Sequence, residues 1–324
     1  MRLGFIAAIL VTSLPAAAQA AGPTAPLYTI SRTIPLGAPD RWDYLTYDAG
    51  SHRIYAAHST SVAVIDTQSG QIVGTVPVPG ANGVAVVPSI GKGYGSRDKK
   101  AVLVFDLASL KVIKELPAEE DTDGVIYDPF SKRLFVMDGD PNIATVVDTA
   151  NDTVVTQLPL GGKPEFAAAD GLGKLFINIT DKSEIIRVDT RTAKVDARWP
   201  IGACERPHGL AIDRGGKHLF PTCTNARMMV VDSTTGRILA QLPIGKGSDG
   251  AAFDPKRNLA FSSNGEGTLS IVRSEGAEKF TSLGDVATQP LARTITLDPE
   301  SGRIYLLSGE RGGSARLLFV DPAL

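Results

Sequence analysis

A pattern of about 41 residues recurs seven times along the chain, and no other feature constrains the fold as strongly. Each unit runs from an apolar strand through an Asp-Pro-like turn to a Lys/Arg-Leu/Ile-Phe/Tyr strand, and then to a Val/Ile strand. That third strand ends at a repeat-equivalent position, occupied in order by Asp66, Asp106, Asp148, Asp189, Asp232, Arg273 and Asp321. Self-similarity at this period, with four short strands per unit, is typical of β-propeller blades.

The third unit shows why these residues form strands. Val125-Ile126-Tyr127 leads to Asp128-Pro129, which starts a turn because proline fixes φ, and Arg133-Leu134-Phe135-Val136 follows as the next strand. The strands are rich in β-branched and aromatic residues and are bounded by Gly, Pro, Asp and Asn. No long stretch keeps a helical period, so we expect almost no helix after residue 20.

The sequence therefore predicts an all-β fold, a seven-bladed β-propeller with four-stranded blades in a single domain over residues 21–324. The last unit supplies only three strands, Thr294–Leu297, Arg303–Leu307 and Ala315–Asp321. The N-terminal segment Tyr28–Gly37 resembles the outer strand Ile238–Gly245 of the fifth unit. We expect it to join the last blade and close the ring, which buries apolar faces that one blade cannot bury alone.

Residues 1–20 have the pattern of a secretory signal peptide, with Arg2, an apolar stretch from Leu3 to Leu14, and Ala18-Gln19-Ala20 as the cleavage site. The apolar part is too short to span a bilayer, and no other segment predicts a membrane span. We expect a periplasmic or secreted monomer. Without Arg2, 33 − 1 = 32 basic residues face 35 acidic ones, a net charge of −3. Nucleic acid and anionic membranes are therefore poor candidates as partners.

Cys204 and Cys223 are the two cysteines. Both fall in loops that a propeller places on one face, and they lie 19 residues apart in a chain expected to be exported. A disulfide is the simplest interpretation. The alternative is a soft metal site that joins them with His208.

The units resemble the YVTN-type β-propeller repeat family. The resemblance rests on Arg53-Ile54-Tyr55, Val64-Ile65-Asp66, Ser69-Gly70 and Val78-Pro79-Gly80, and on the matching segments of the other units. It covers almost all of residues 27–324 and implies the propeller fold. It implies little about function, because relatives of this kind are mostly exported proteins without assigned activity and similar propellers include lactonases. The sixth unit departs from the pattern at Arg273.

Candidate functional residues stand just before or at the start of the first strand of each unit, where a propeller rings its channel mouth. The repeat-equivalent positions are Asp43, Asn82, Asp123, Glu165, His208, Asp249 and Arg293, with Arg41, Trp42 and Arg206 beside them. Carboxylates that converge on a narrow mouth repel each other, so a cation, a shared proton or the nearby arginines must offset their charge. This predicts a ligand-binding mouth.

Two chemical interpretations of this ring stay open. Asp123, Glu165, His208 and Asp249 could hold a divalent cation, and such oxygen-rich ligands favour Ca²⁺, Mg²⁺ or Mn²⁺. His208 and Glu165 could instead act as catalytic acid and base, with an arginine as anion clamp. A purely structural interpretation also exists. In Asn82-Gly83, Asp123-Gly124 and Asp249-Gly250, the glycine would permit a positive φ and a close approach at the channel axis, and the Asx side chain would bond its own backbone.

The sequence favours an exported binding or scaffold protein that holds a small molecule or another periplasmic protein at the channel mouth. The alternative is a metal-dependent hydrolase or lyase, similar to the propeller lactonases, at the same place. No sequence motif separates the two, and the cofactor stays unknown apart from the suggested divalent ion.

Overall fold

The computed structural model describes residues 27–37, 41–58, 60–97, 99–309 and 314–323. The predicted signal peptide, residues 1–20, lies outside them. The described chain forms seven four-stranded antiparallel sheets, each a propeller blade. This confirms the predicted fold class.

The strands, numbered in chain order, run from the channel outward within each blade. Blade 1 consists of β2 (Trp42–Asp48), β3 (Arg53–His58), β4 (Ser61–Asp66) and β5 (Ile72–Val76). Blade 2 consists of β6 (Ala81–Val87), β7 (Lys92–Arg97), β8 (Lys99–Asp106) and β9 (Val112–Glu120). Blade 3 consists of β10 (Thr122–Asp128), β11 (Arg133–Asp138), β12 (Ile143–Asp148) and β13 (Thr153–Pro159). Blade 4 consists of β14 (Pro164–Ala169), β15 (Lys174–Ile179), β16 (Glu184–Asp189) and β17 (Lys194–Pro200).

Blade 5 consists of β18 (Pro207–Asp213), β19 (His218–Cys223), β20 (Arg227–Asp232) and β21 (Ile238–Pro243). Blade 6 consists of β22 (Ser248–Asp254), β23 (Leu259–Asn264), β24 (Thr268–Ser274) and β25 (Phe280–Ala287). Blade 7 consists of β26 (Ala292–Leu297), β27 (Ile304–Ser308), β28 (Ala315–Pro322) and the N-terminal strand β1 (Tyr28–Gly37). Within the described ranges the one helical element is the 3₁₀ turn Pro88–Ile90.

The N-terminal strand closes the ring as the sequence predicts. It runs antiparallel to β28, from the pair Tyr28↔Pro322 to the pair Gly37↔Ala315. The guanidinium of Arg32 then reaches across to blade 1, donating to the carbonyls of Gln68 and Ser69 at 3.3 and 2.5 Å. Both ends of the chain thus contribute to one sheet.

The core consists of apolar clusters, mostly between neighbouring blades, because each sheet is covered on both faces. In each blade the second strand carries an aromatic side chain at the same position, and this side chain is almost fully buried. These rings are Tyr55, Tyr94, Phe135, Phe176, Phe220, Phe261 and Tyr305. Burying a side chain of this kind contributes about 1.5 to 3 kcal/mol, so the repeat carries much of its stability at this position.

The third-strand aspartates cap the turns that follow them. Asp66 accepts hydrogen bonds from the backbone N–H and the hydroxyl of Ser69 at 2.7 and 2.6 Å, and Asp106 does the same with Ser109. These turns, together with the turns between first and second strands, form one face of the ring. The loops between blades form the other face, which carries the channel mouth.

The disulfide prediction is confirmed. Cys204 and Cys223 are bonded across 5.3 Å between their Cα atoms, both are buried, and the bond lies on the face of the mouth. The alternative soft metal site is therefore wrong, because the sulfur atoms are bonded to each other.

Candidate functional site

A β-bulge in every innermost strand holds the seven ring positions. In blade 1 the ladder passes from Trp42↔His58 to Leu45↔Ala56, so Asp43 and Tyr44 together face one residue of β3. The same irregularity recurs in each of the other six innermost strands. A bulge leaves its extra residue outside the ladder and re-aims its side chain. The ring residues are therefore freed from strand pairing at the position where they face the channel.

The glycines that follow four of the ring residues serve one of the two predicted roles, close approach, and not the other, a positive φ. Gly83, Gly124, Gly209 and Gly250 do not have a positive φ, so the predicted positive φ is wrong. Three of them lie against the next blade. A Cβ on Gly83 would approach the carbonyl oxygen of Asp123 to 2.3 Å, and one on Gly209 would approach the carbonyl carbon of Gly250 to 2.6 Å. Close approach of the innermost strands is what requires glycine here.

Polar side chains of the second strands form hydrogen bonds that link these bulges in neighbouring blades. The Ser96 hydroxyl accepts from the Gly83 N–H at 2.7 Å and donates to the Asp123 carbonyl at 2.6 Å. The Asn178 amide donates to the carbonyls of His208 and Gly209 at 2.8 and 3.0 Å. The ring positions therefore rest on buried hydrogen bonds between blades.

Four ring residues of blades 4 to 7 form one connected arc. His208 Nδ1 lies 3.1 Å from Asp249 Oδ1 and 3.9 Å from Glu165 Oε2. Arg293 Nε lies 3.3 Å from the other oxygen of Asp249. His208 Nε2 is buried, and no described residue forms a hydrogen bond with it. The imidazole is thus held by one nitrogen between two carboxylates.

The remaining ring residues form a second arc across blades 1 to 3. Arg41 lies 3.7 Å from the Asp43 carboxylate and donates to the side-chain oxygen of Asn82. The Asn82 amide in turn donates to the carbonyl of Thr122 at 2.8 Å. Among the described residues, no hydrogen bond or ion pair reaches the carboxylate of Asp123.

Two of the predicted residues lie at the edge of this arrangement. Trp42 is buried between blades 7 and 1, where its ring stacks on His58 at 4.3 Å between centroids. Arg206 is exposed and has a φ of 47°, in the left-handed region that non-glycine residues rarely occupy. The structure thus places Trp42 in the packing and Arg206 on the rim.

An aromatic pair beneath the ring was not predicted. Tyr44 of blade 1 and Phe166 of blade 4 contact each other across the channel, with 4.6 Å between ring centroids. Each follows a ring residue by one position, on a strand that leads away from the mouth. The sequence could have indicated this pair, because the equivalent position is glycine in four other blades but aromatic in blades 1 and 4. The two rings form an aromatic floor to the polar mouth.

The electrostatics of the mouth are dominated by carboxylates withdrawn from water. Burial raises the pKa of Asp43 to about 6, with Asp249 and Glu165 adding to the effect and Arg41 opposing it. Burial and the charge of Asp43 raise the pKa of Asp123 well above its usual value. Burial also raises the pKa of Glu165, against the charge of His208. Burial alone would lower the pKa of His208, but the hydrogen bond with Asp249 and the charge of Glu165 outweigh it, so that pKa is raised.

The suggested divalent cation finds no ligand set in this arrangement. Throughout the part of the chain that the structure describes, no group of three or more His, Cys, Asp or Glu side chains has the geometry of a metal site. Asp123, Glu165, His208 and Asp249 belong to one ring, but His208 is committed to its carboxylate neighbours. The divalent-ion interpretation stays a prediction without geometric support.

A cavity of about 520 Å³ lies on the opposite face, between blades 7 and 1. Several polar groups that line it are already paired: Arg303 binds Asp321 through two contacts of 2.5 and 3.1 Å, and the Tyr47 hydroxyl lies 3.2 Å from His52. We therefore assign it to packing at the ring closure and keep the mouth as the candidate site.

The fold and the mouth define this chain as a seven-bladed β-propeller with a polar, non-repeating ring at one end of its channel. Among solved structures it is similar to a chain of the Kuenenia stuttgartiensis hydrazine synthase, with a TM-score of 0.74 and 16% sequence identity over 86% of this chain and 95% of that one. At this identity the similarity shows the fold alone. No family model and no curated protein matches the sequence. Within the described residues, no helix is both long and apolar enough to cross a membrane.

Proposed function

We propose that this protein binds a small molecule with a cationic group at its channel mouth. One observation carries the proposal: seven bulges place a non-repeating set of polar side chains around the channel mouth, above the Tyr44–Phe166 floor. Burial and mutual repulsion raise the pKa values of Asp43 and Asp123 there, and a bound cation would offset that repulsion. Aromatic faces also attract cations. Arg41 and Arg293, in blades 1 and 7, could orient an anionic group of the same molecule.

Calorimetric titration with amino acids, diamines and uronic acids tests this proposal. We expect a cationic probe to bind, and Asp123→Asn or Glu165→Gln to weaken it at least ten-fold. Glu278→Gln is the matched control, since it removes an exposed carboxylate from the opposite face. Affinity should rise as the pH rises through about 6, because the cation competes with protons for these carboxylates. Binding that is unchanged in both ring variants would contradict the proposal.

A second candidate function is hydrolysis or elimination, and the Glu165–His208–Asp249 contact favours it. His208 is held by Asp249 on one side, and Glu165 lies 3.9 Å from it on the other. Because burial raises the pKa of Glu165, the two side chains could accept and donate protons. Turnover of lactones or esters that disappears in His208→Asn would support this candidate. If such substrates bind but none is turned over, the catalytic candidate is wrong and only the binding function remains.

We further propose that the chain is exported, that residues 1–20 are removed and that it belongs with the YVTN-type repeat proteins. The buried disulfide supports an oxidising compartment. Mass measurement of the protein recovered from an exporting bacterial cell tests the cleavage, with a new N-terminus at Ala21 expected.

A further inference from the structure

The face opposite the mouth carries exposed apolar side chains on three consecutive blades. Ile90, Phe130 and Leu172 are 43%, 44% and 78% exposed. Each belongs to the turn between the first and second strands of its blade, in blades 2, 3 and 4. The equivalent turns of the other blades carry small or charged residues, such as Gly50, Lys256 and Glu300. These three side chains, here called the apolar tips, are therefore confined to the part of this face that blades 2 to 4 form.

Local geometry presents these tips outward. Leu172 stands between Gly171 and Gly173, whose φ values of 75° and 110° form a tight turn. The Phe130 ring packs against Gly173, where an added Cβ would come within 2.9 Å of it. The turns of blades 3 and 4 thus adjoin, and the guanidinium of Arg191 covers the Phe130 ring at 4.9 Å.

The fully exposed charges around the tips have one sign. In the turns of blades 2 to 4 and the first turn of blade 5, all of which the structure describes, every exposed charged side chain is basic. The acidic residues of the same turns are partly or fully buried, several of them as turn caps. The exposed cations are Lys111, Lys132, Arg191, Lys194, Arg214 and Lys217. From the last turn of blade 5 to blade 7, by contrast, exposed acids occur on the same face and pair with cations, as in Arg237–Glu278 and Lys256–Glu300.

We propose that the surface formed by the turns of blades 2 to 4 and the first turn of blade 5, here called the basic turn face, docks on an anionic lipid bilayer. A bilayer requires no matching shape, only apolar tips that reach the acyl boundary and cations that meet the headgroups. Both are present, and no exposed acid of these turns would repel an anionic surface. The net charge of −3 argued against membranes, but it averages over the acidic mouth and this basic face. In this orientation the channel mouth points away from the lipid and stays open to its ligand.

Flotation with vesicles of 30% phosphatidylglycerol in phosphatidylcholine, at low salt, tests the proposal. We expect the protein to float with these vesicles and not with pure phosphatidylcholine. Leu172→Ser should lower the bound fraction several-fold, and Lys132→Glu with Lys217→Glu at least ten-fold, since each cation near an anionic surface strengthens binding roughly five-fold. The controls are Ile238→Ser, an exposed apolar residue of an outer strand, and Lys279→Glu, a cation of blade 6. Both should float like the unaltered protein.

Two outcomes would overturn the proposal. The first is the absence of flotation with anionic vesicles, in which case an acidic protein partner would be the better explanation of the face. The second is equal flotation of all variants, which would assign the binding to another part of the chain. Every variant carries the same N-terminal segment, so a difference between variants reports the basic turn face alone.

Discussion

Asp43, Asp123 and Asp249 occupy equivalent bulges in three blades, yet their neighbours give them different environments. Asp249 lies between two cationic partners, His208 and Arg293, at 3.1 and 3.3 Å. Asp43 has Arg41 at 3.7 Å. Burial disfavours the charged form of a carboxylate unless such partners offset it. The mouth therefore includes carboxylates that cost stability when they ionise, as expected of a site kept for binding.

Asp43→Asn should stabilise the protein at pH 7.5 by about 1 to 2 kcal/mol, given that one pKa unit corresponds to about 1.4 kcal/mol. The folded-state pKa of about 6 lies above the unfolded value, so stability falls as the pH rises from about 4 through 6. Below pH 4 the gain should vanish, because Asp43 is then protonated in both states. Urea unfolding at both pH values measures this.

The matched control is Asp66→Asn, at a partly exposed turn cap. Hydrogen bonds from Ser69 lower the pKa of Asp66, so removing its charge should destabilise the fold at neutral pH. A gain in that variant, or none in Asp43→Asn, would contradict the assignment.

Asp249→Asn should lower the pKa of His208. Its hydrogen bond to Asp249 and the charge of Glu165 raise that pKa against the effect of burial, and the variant removes the stronger of the two favourable contacts. Titration of the imidazole resonances by NMR measures the change. The signals of His52 and His58 should be unaffected, and an unchanged His208 midpoint would mean that Asp249 does not hold the imidazolium.

The bulged inner strand is the element that builds the site, and it illustrates what the sequence could and could not predict. The repeat predicted the blades, the closing strand and the ring positions, because these follow from hydrophobic pattern and turn residues. The bulges were missed, since one extra unpaired residue leaves the apolar pattern almost intact. The predicted positive φ at Gly83, Gly124 and Gly250 was wrong for a related reason: a glycine that admits a neighbouring blade and one that permits a positive φ look alike in sequence.

Gly209→Ala should destabilise the protein by about 2 to 3 kcal/mol, because the new methyl group would lie 2.6 Å from the backbone of blade 6. Gly124→Ala is the matched control in an equivalent bulge. There the nearest atoms belong to the Tyr44 ring, at 3.4 Å or more, and the loss should be under about 1 kcal/mol. Chemical unfolding of both variants measures the difference. Equal losses would show that the two positions share a requirement other than blade contact.

At the scale of the whole molecule, stability depends on a ring whose first and last segments share a sheet. Tyr28, Ile34 and Leu36 of the N-terminal strand are buried in the clusters beside blade 7. Their burial is worth about 1.5 to 3 kcal/mol each, which together approaches the 5 to 15 kcal/mol that keeps a typical protein folded. An open ring would also expose β28 as an unpaired edge.

Deletion of residues 1–37 should therefore leave a chain that does not fold cooperatively. A synthetic peptide of residues 27–37, added in trans, should restore a cooperative thermal transition whose midpoint rises with peptide concentration. The same peptide with serine at Tyr28 and Ile34 should fail. A truncated chain that melts like the intact protein would show that the ring does not need its closing strand.

The sevenfold bulge has a consequence for how such a protein can change. Because the ring residue stands outside the ladder in every blade, its identity is independent of the apolar alternation that holds the blade together. Seven positions can therefore be exchanged one at a time while the scaffold stays constant, as the present set of three aspartates, a glutamate, a histidine, an asparagine and an arginine already suggests. Selection, or a protein engineer, can therefore change the ligand specificity of the mouth through these seven positions without redesigning the propeller.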